Sequence, residues 1–257
     1  MRKFLVIAAK TTLALLSLAS AGLLAVALYV VWHFEYEVGV PDVARIAAAS
    51  ATGPVCRADK QDPYTPLADI PLLLQKAVIA SEEPEFYERP SLNPYFESVF
   101  AAIVRREPRS SGITWGVTRC LVAGSANCCR GLDWHLGNAY LVNRVARAFS
   151  RDRLLEIYLN EMYLGRGSYG VDAAATAYFG KPMKMLAIDE IALLAALHRT
   201  PQIAMRRNDL AKDWRNRVID RMLRAALISE AEADGARQRP IEFRDAPAST
   251  PAGQRSL

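Results

Sequence analysis

The feature that most constrains this chain is an uncharged apolar segment near its N-terminus. Residues 11–34 (TTLALLSLASAGLLAVALYVVWHF) contain no Asp, Glu, Lys or Arg. As an α-helix that rises about 1.5 Å per residue, this segment is long enough to cross the roughly 30 Å hydrocarbon core of a bilayer. The sequence therefore predicts one transmembrane helix over residues 11–34, preceded by a short N-terminal segment of residues 1–10.

Charges on either side of the segment predict its orientation. Basic residues precede it and acidic residues follow it, namely Arg2, Lys3, Lys10, Glu35 and Glu37. Because basic flanks stay in the cytoplasm, we expect a cytoplasmic N-terminus and an external main domain. The alternative is a cleaved signal peptide, since residues 19–21 (ASA) have the small-x-small form of a cleavage site. We favour the uncleaved anchor because the apolar run continues well beyond that site.

Beyond the anchor, the sequence is typical of one folded domain with appendages. Hydrophobic residues make up 51% of the chain, and no internal repeat divides it. Residues 35–66 mix Pro, Ala, Gly and Asp without periodicity, which predicts a juxtamembrane connector of short strands or loops. We expect the folded domain over residues 67–235. The composition of residues 236–257 predicts a disordered tail.

The spacing of apolar residues predicts that the domain is mainly helical. One helix is expected to begin near Asp69 and Pro71 and to end close to Glu82. A second begins after Ser150, whose hydroxyl suits a helix N-cap. Further helices are predicted at about 171–179 and 187–198.

Four cysteines predict disulfides if the domain lies in an oxidising compartment: Cys56, Cys120, Cys128 and Cys129. Their pairing stays open at this point. A zinc site is the alternative, but the last three cysteines lack the usual two-residue spacing, and only His135 lies nearby. We therefore favour disulfides.

Residues 105–153 are strongly basic, with nine Arg against three acidic residues, while the whole chain has a formal net charge of +5. Such a region beside a membrane would favour anionic headgroups or a pyrophosphate ligand. A solvated helix face is the alternative. Nucleic acid is not an expected partner on the far side of a membrane.

Glu82 is the first candidate for chemistry. A carboxylate at the C-terminal end of an apolar helix lies near the negative end of the helix dipole and in a poorly solvating setting. Such a group suits a general base or acid. The alternative is a helix-end carboxylate that pairs with Arg89. Glu83 faces another direction on a regular helix, so the two carboxylates are not expected to share one role.

A glycine-rich segment, residues 165–170 (GRGSYG), matches the dinucleotide-binding pattern G-x-G-x-x-G. A dinucleotide loop follows a β-strand, whereas this segment follows a predicted helix. We therefore expect a helix-terminating turn here.

Three segments resemble the family 51 glycosyltransferases, which polymerise peptidoglycan. Residues 77–88 (AVIASEEPEFYE) are similar to the family's first motif. Residues 150–181 (SRDRLLEIYLNEMYLGRGSYGVDAAATAYFGK) are similar to its later motifs, and residues 193–201 (LLAALHRTP) continue the match. The resemblance covers about residues 64–225. It implies a lysozyme-like helical domain with a smaller membrane-facing lobe.

The resemblance also implies a function. The chain would polymerise lipid II at a bacterial inner membrane, with its domain in the periplasm and Glu82 as general base on the acceptor sugar's 4-hydroxyl. Further substrate contacts carried over from the motifs are Glu83, Phe86, Ser111, Thr114 and Arg119. The implied partners are lipid II, the nascent glycan strand, the inner membrane and other cell-wall synthesis proteins. No cofactor is certain, and a divalent cation is left open.

The second and third motifs depart from the family pattern. Two Gln positions fall on Trp115 and Gly116, and the Lys that contacts pyrophosphate falls on Arg119. The family's second functional Glu falls on Asn138. Asn cannot accept a proton at physiological pH, although it can still form hydrogen bonds.

Two functional readings follow from these departures. The first is an active monofunctional peptidoglycan glycosyltransferase, as Glu82 and the match over residues 150–201 indicate. No transpeptidase domain is expected in the residues after 225. The alternative is a catalytically impaired relative that binds lipid II or acts as a scaffold in cell-wall assembly. A disulfide at Cys120, Cys128 or Cys129 would make the segment between the second and third motifs more rigid.

Overall fold

The computed structural model describes residues 2–57, 63–88, 112–124, 132–198 and 207–244. Its first helix, α1 (Arg2–Trp32), continues into a π-helical turn, His33–Glu37. Within Lys10–Glu37, the most apolar window of 18 residues has a mean hydropathy of 2.3, and none of that window is buried inside the protein. By length and composition this helix can cross a membrane.

The end of the anchor packs against the domain. The ring of Phe34 is buried and stacks on Tyr140, with 5.2 Å between the ring centroids. Tyr140 also donates its hydroxyl to Glu35 Oε1 at 2.8 Å, and Arg144 forms an ion pair with the same carboxylate. The anchor and the domain are therefore joined by apolar and charged contacts.

The connector contains a short helix, α2 (Val43–Ala49), where the sequence predicted short strands or loops. Asp42 caps this helix by accepting a hydrogen bond from the Arg45 backbone N–H at 3.1 Å. The strand prediction was therefore wrong for residues 43–49. The segment lacks apolar periodicity, which is why no helix was predicted. An Asp N-cap followed by alanine-rich residues nevertheless favours a helix.

The mainly helical prediction is confirmed. A 3₁₀ turn (Leu67–Asp69) precedes α3, and the later helices are joined through one small hairpin and a second 3₁₀ turn (Met183–Met185). The remaining helices in chain order are α3 (Leu72–Glu82), α4 (Ile113–Gly124), α5 (Leu132–Ala148), α6 (Arg151–Glu161), α7 (Val171–Phe179), α8 (Ile188–Leu197), α9 (Asn208–Arg224) and α10 (Glu230–Gln238). Ser150 caps α6 as predicted, since its hydroxyl accepts a hydrogen bond from the Arg153 N–H at 3.2 Å.

Two groups of helices form the core. Helices α3, α8 and α9 pack on one another, and α4 packs against both α5 and α6. The largest fully buried apolar side chains include Leu74, Ile113, Leu141, Leu155 and Tyr178. Helix α3 therefore packs against both α8 and α9.

The glycine-rich segment forms a hairpin between α6 and α7. Strands β1 (Tyr163–Gly165) and β2 (Ser168–Tyr169) pair in antiparallel fashion. Gly170 has a φ of +79°, and an added Cβ there would collide with the Asn160 backbone carbonyl. A glycine is needed at this close approach of hairpin and helix. The sequence predicted a turn at this place, and the structure shows a turn with two short strands.

The connector is fixed by the polar side of α6. Glu161 accepts hydrogen bonds from the backbone N–H groups of Val55, Cys56 and Arg57, each at 2.8 Å. The Asn160 side chain binds both the N–H and the carbonyl of Thr65, at 2.8 and 2.9 Å. Several polar residues of the best-matched motif are therefore structural, because they bind otherwise unpaired backbone groups of the connector.

A disulfide joins Cys56 to Cys120 and so links the connector to α4. The disulfide prediction is confirmed for this pair, while Cys128 and Cys129 lie outside the described residues. The ligand atoms of Cys56, Cys120 and Glu161 lie within 4.8 Å of one another, as in a metal site. The two sulfurs are bonded to each other, however, and a metal needs thiolates.

The predicted disordered tail does not begin at residue 236. Ala236 is buried in α10, and the Arg244 backbone N–H donates to the Tyr178 carbonyl at 2.7 Å. The Phe243 ring packs 5.6 Å from that of Tyr178. These contacts hold residues 236–244 on the domain despite their polar composition. Residues 245–257 lie outside the described part of the chain.

Candidate active site

Glu82 lies in the last turn of α3, and its side chain is fully buried. Ser81 donates its hydroxyl to Glu82 Oε1 at 3.1 Å. The Ser81 carbonyl, one of the last carbonyls of the helix, accepts a hydrogen bond from the Arg221 guanidinium of α9. Because a cation at a helix C-terminus offsets the negative end of the dipole, Arg221 stabilises the turn that presents Glu82.

His198 lies in ion-pair contact with Glu82. It caps the C-terminal end of α8, and its Nε2 lies 2.6 Å from Glu82 Oε2. Its other ring nitrogen, Nδ1, lies 3.1 Å from the Ala195 carbonyl oxygen, and only 8% of the side chain is exposed. The ring centroid is 6.0 Å from that of Tyr158 on α6. Glu82 and His198 thus form a buried carboxylate–imidazole pair.

Sequence reasoning missed His198. The residue lies within the matched segment 193–201, yet nothing in its local pattern indicates a contact with Glu82. The contact forms because α3 and α8 pack together and both end at the same place. A polar residue directly after a strongly apolar helix was the one available signal.

Glu83 points away from Glu82, as the sequence predicted. Its Oε2 accepts a hydrogen bond from the Ile113 backbone N–H at 3.0 Å, so it binds the first turn of α4. An added Cβ at Gly112 would lie 2.7 Å from that oxygen. A carboxylate at a helix N-terminus is favoured by the dipole. Glu83 thereby joins the end of α3 to the start of α4, and its substrate contact stays a prediction.

The other predicted contact residues occupy different environments. Phe86 is fully buried, with the Arg151 guanidinium 5.2 Å from its ring centroid. Thr114 is buried on α4, and its hydroxyl oxygen has no hydrogen-bond partner among the residues that the structure describes. Arg119 is exposed on the same helix. Ser111 lies outside the described residues. The substrate roles of all four stay predictions.

The packing of neighbouring side chains explains some of the replaced motif positions. Gly116 of α4 lies against Tyr158, and an added Cβ would come within 2.5 Å of Tyr158 Cε2. The Tyr158 ring therefore occupies the space that a side chain at position 116 would need. Asn138 is buried on α5, with 1% of its surface exposed. The described contacts form a continuous path from Glu82 through His198 and Tyr158 to Gly116.

A second polar cluster lies on α6, where the connector meets the domain. Arg153 pairs with Glu156 at 2.5 Å and donates to the Tyr64 hydroxyl at 2.6 Å. Burial raises the pKa of the Tyr64 hydroxyl well above its usual range, and Glu156 adds to the effect while Arg153 opposes it. Tyr64 is therefore a neutral hydrogen-bonding group that holds the connector, with no role as an acid or base near neutral pH.

The sequence matches known proteins over most of its domain. Residues 50–223 match the transglycosylase family. A Cupriavidus necator protein that carries the name transglycosylase is 32% identical over 190 residues, covering 70% of this chain and 79% of that protein. Penicillin-binding protein 1A of Vibrio cholerae is 34% identical over 181 residues, covering 68% of this chain and 22% of that protein.

A solved structure is also similar. The crystal structure of penicillin-binding protein 1A from Haemophilus influenzae has a TM-score of 0.43 and 25% sequence identity, over 74% of this chain and 19% of that one. The chain thus matches about a fifth of the length of these two penicillin-binding proteins, 22% and 19%, and most of the length of the Cupriavidus protein.

Proposed function

This chain belongs to the transglycosylase family, and on that premise we propose that it is a membrane-anchored peptidoglycan glycosyltransferase that polymerises lipid II. The relatives support glycosyl transfer in peptidoglycan synthesis. The observation that carries the proposal is Glu82, a fully buried carboxylate at the family's first motif, oriented by His198 at 2.6 Å. A carboxylate held in a fixed position by its neighbours suits general-base catalysis.

In the proposed reaction, the acceptor sugar's 4-hydroxyl oxygen bonds to the anomeric carbon of the donor. The bond from that carbon to the pyrophosphate oxygen breaks, and undecaprenyl pyrophosphate leaves with the bonding electrons. The hydroxyl proton passes to Glu82, and the anomeric configuration inverts. Arg119, exposed on α4, would bind the pyrophosphate, because a guanidinium forms paired hydrogen bonds with phosphate oxygens.

The anchor supports action on a lipid-linked substrate. The apolar segment Lys10–Glu37 is long enough to cross a bilayer, and Phe34 and Glu35 join its end to α5. We propose that the N-terminus is cytoplasmic and the domain periplasmic, in a bacterial inner membrane. The Cys56–Cys120 disulfide supports this orientation, since disulfides persist in oxidising compartments.

A second candidate function is favoured by the replaced motif residues. Asn138 cannot supply the charge of the family's second Glu, and Gly116 has no side chain to bind substrate. Under this reading the chain binds lipid II, or another cell-wall synthesis protein, without polymerising it.

Polymerisation of lipid II by the full chain in detergent or vesicles separates the two functions. We expect the native chain to form glycan strands, and Glu82→Gln to slow polymerisation at least about a hundredfold, because the amide cannot accept a proton. Asn138→Glu should leave activity equal or higher. Glu230→Gln, at an exposed position on α10, is the matched control and should behave as native.

The outcomes are distinct. A native chain that binds lipid II but forms no strands would support the scaffold function. Equal rates for the native chain and Glu82→Gln would contradict the role of Glu82. Restoration of activity by Asn138→Glu in an otherwise inactive chain would trace the impairment to the third motif.

A further inference from the structure

Glu82 and His198 bring two buried polar atoms into close contact. A backbone carbonyl oxygen can only accept, so the Nδ1 of His198 carries the hydrogen in its contact with Ala195. The Nε2 and the Glu82 Oε2 lie 2.6 Å apart, and neither atom forms a hydrogen bond of regular geometry within the described part of the chain. Two unprotonated acceptors would repel at this distance, whereas an imidazolium and a carboxylate would attract.

The surroundings favour a charged pair, an imidazolium beside a carboxylate. Helices α3 and α8 both end here, so two negative helix ends converge on the ring of His198. Arg221 of α9 donates to the Ser81 carbonyl, and Tyr158 of α6 lies with its ring 6.0 Å from the imidazole. Glu83 is turned towards the first turn of α4. A positive ring between two helix C-termini is stabilised by both dipoles.

A buried ion pair does not by itself show that the fold is stabilised, because the desolvation of two charges offsets much of their attraction. The same pair has a clear use if Glu82 is a base. Burial disfavours the charged form of a carboxylate, and a nearby cation favours it. Without His198, the orientation of the Glu82 carboxylate would also be less restricted, since carboxylate rotation is limited mainly by its hydrogen bonds.

We propose that His198 is a positioning residue for Glu82, whose imidazolium keeps the buried carboxylate ionised and holds Oε2 so that Oε1 takes the acceptor's proton. This inference rests on the proposed glycosyltransferase function. In the step, the sugar oxygen loses its proton as it bonds to the anomeric carbon. Oε1, now hydrogen-bonded by Ser81, receives that proton, and the protonated pair returns one proton to water after product leaves.

The activity test compares the native chain with His198→Gln. Gln can still donate a hydrogen bond to Glu82 but carries no charge. We expect the acidic limb of the pH profile for lipid II polymerisation to move up by about one pH unit or more, because loss of the His198 charge makes the ionised form of a buried carboxylate less favourable. At a fixed pH on that limb, kcat should fall at least about tenfold, with little change in KM. His33→Gln, in the juxtamembrane turn, is the matched control and should leave the profile unchanged.

Two results would overturn the proposal: an unmoved acidic limb in His198→Gln, or a variant faster than native across the profile. A role in packing alone would lower the yield of folded chain without moving the limb.

A second measurement works without turnover. The chain has three His residues, so ¹⁵N-histidine labelling gives few signals, and His198→Gln assigns one of them. We expect His198 to show both ring nitrogens protonated at neutral pH, and Glu82→Gln to convert it to the neutral ring with hydrogen on Nδ1. A neutral His198 ring in the native chain would reject the proposal. If the native chain fails to polymerise lipid II, the proposed function fails, and these signals still decide the state of the pair.

Discussion

Replacing Gly116 with alanine tests whether the altered second motif is packed as the structure shows. A Cβ at this position would lie 2.5 Å from Tyr158 Cε2 and 2.9 Å from Cδ2. Carbon atoms in contact are normally about 3.5–4.0 Å apart, so the ring would have to move by about 1 Å. Tyr158 is 5% exposed and lies next to His198, so it has little room to move.

Two effects of opposite sign set the magnitude. Overpacking of a core typically costs about 1–3 kcal/mol, while replacing a helical Gly with Ala gains about 0.5–1 kcal/mol. We therefore expect Gly116→Ala to lower the free energy of unfolding by about 0–2.5 kcal/mol, and by about 1–3 kcal/mol relative to a helical Gly→Ala change that meets no neighbour. Denaturant unfolding of the full chain in detergent, followed by circular dichroism, measures the change.

Gly235 provides the matched control. It also lies in a helix, α10, and an added Cβ there would meet nothing within 4 Å. Gly235→Ala should raise the free energy of unfolding by about 0.5–1 kcal/mol. In a Tyr158→Ala background the penalty of Gly116→Ala should vanish, because the clashing ring is gone. A Gly116→Ala chain as stable as the Gly235→Ala control, with Tyr158 intact, would refute the packing argument.

Two further predictions concern the domain's stability. Burial raises the pKa of Tyr178 to about 12, and its hydroxyl donates to the Leu164 carbonyl at 2.7 Å. An unfolded tyrosine ionises near pH 10, so this contribution to stability is complete below pH 10 and is lost as the pH rises towards 12. Between these two pH values, the denaturation midpoint of Tyr178→Phe should fall less than that of the native chain. An equal fall in both chains would contradict the assignment of this effect to Tyr178. The Cys56–Cys120 disulfide spans a sequence separation of 64, which by chain entropy corresponds to about 4 kcal/mol. Reductant should lower the denaturation midpoint of the native chain and leave the midpoint of a Cys56→Ser, Cys120→Ser double variant unchanged. If reductant lowers both midpoints equally, other cysteines cause the effect.

Most helices were predictable because their signals are local. Helix α6 has a Ser N-cap and apolar residues on one face, and α7 ends at Gly180, whose φ of +67° suits a helix terminus. These helices begin and end within a residue or two of the prediction. Helix α2 and residues 236–244 were mispredicted, because the first depends on one Asp cap and the second on contacts with Tyr178.

The candidate site was predictable only in part. Glu82 could be identified from its motif and its place at a helix end. Its partner His198 could not, because their contact depends on how two helix ends meet in space. The loss of Gln at position 116 was visible in the sequence, but its steric reason, the ring of Tyr158, was not.

These observations explain how a well-matched motif and an altered cleft occur in one chain. Glu161 and Asn160 on α6 bind the connector backbone, so they serve the fold whatever the chemistry. Tyr158, on the same helix, fills the space beside Gly116 and lies next to His198. The altered position 116 and the partner of Glu82 thus belong to one packed group. A side chain restored at this one position, as in Gly116→Gln, would need the space that the Tyr158 ring occupies, so the substitutions in this group must be tested together.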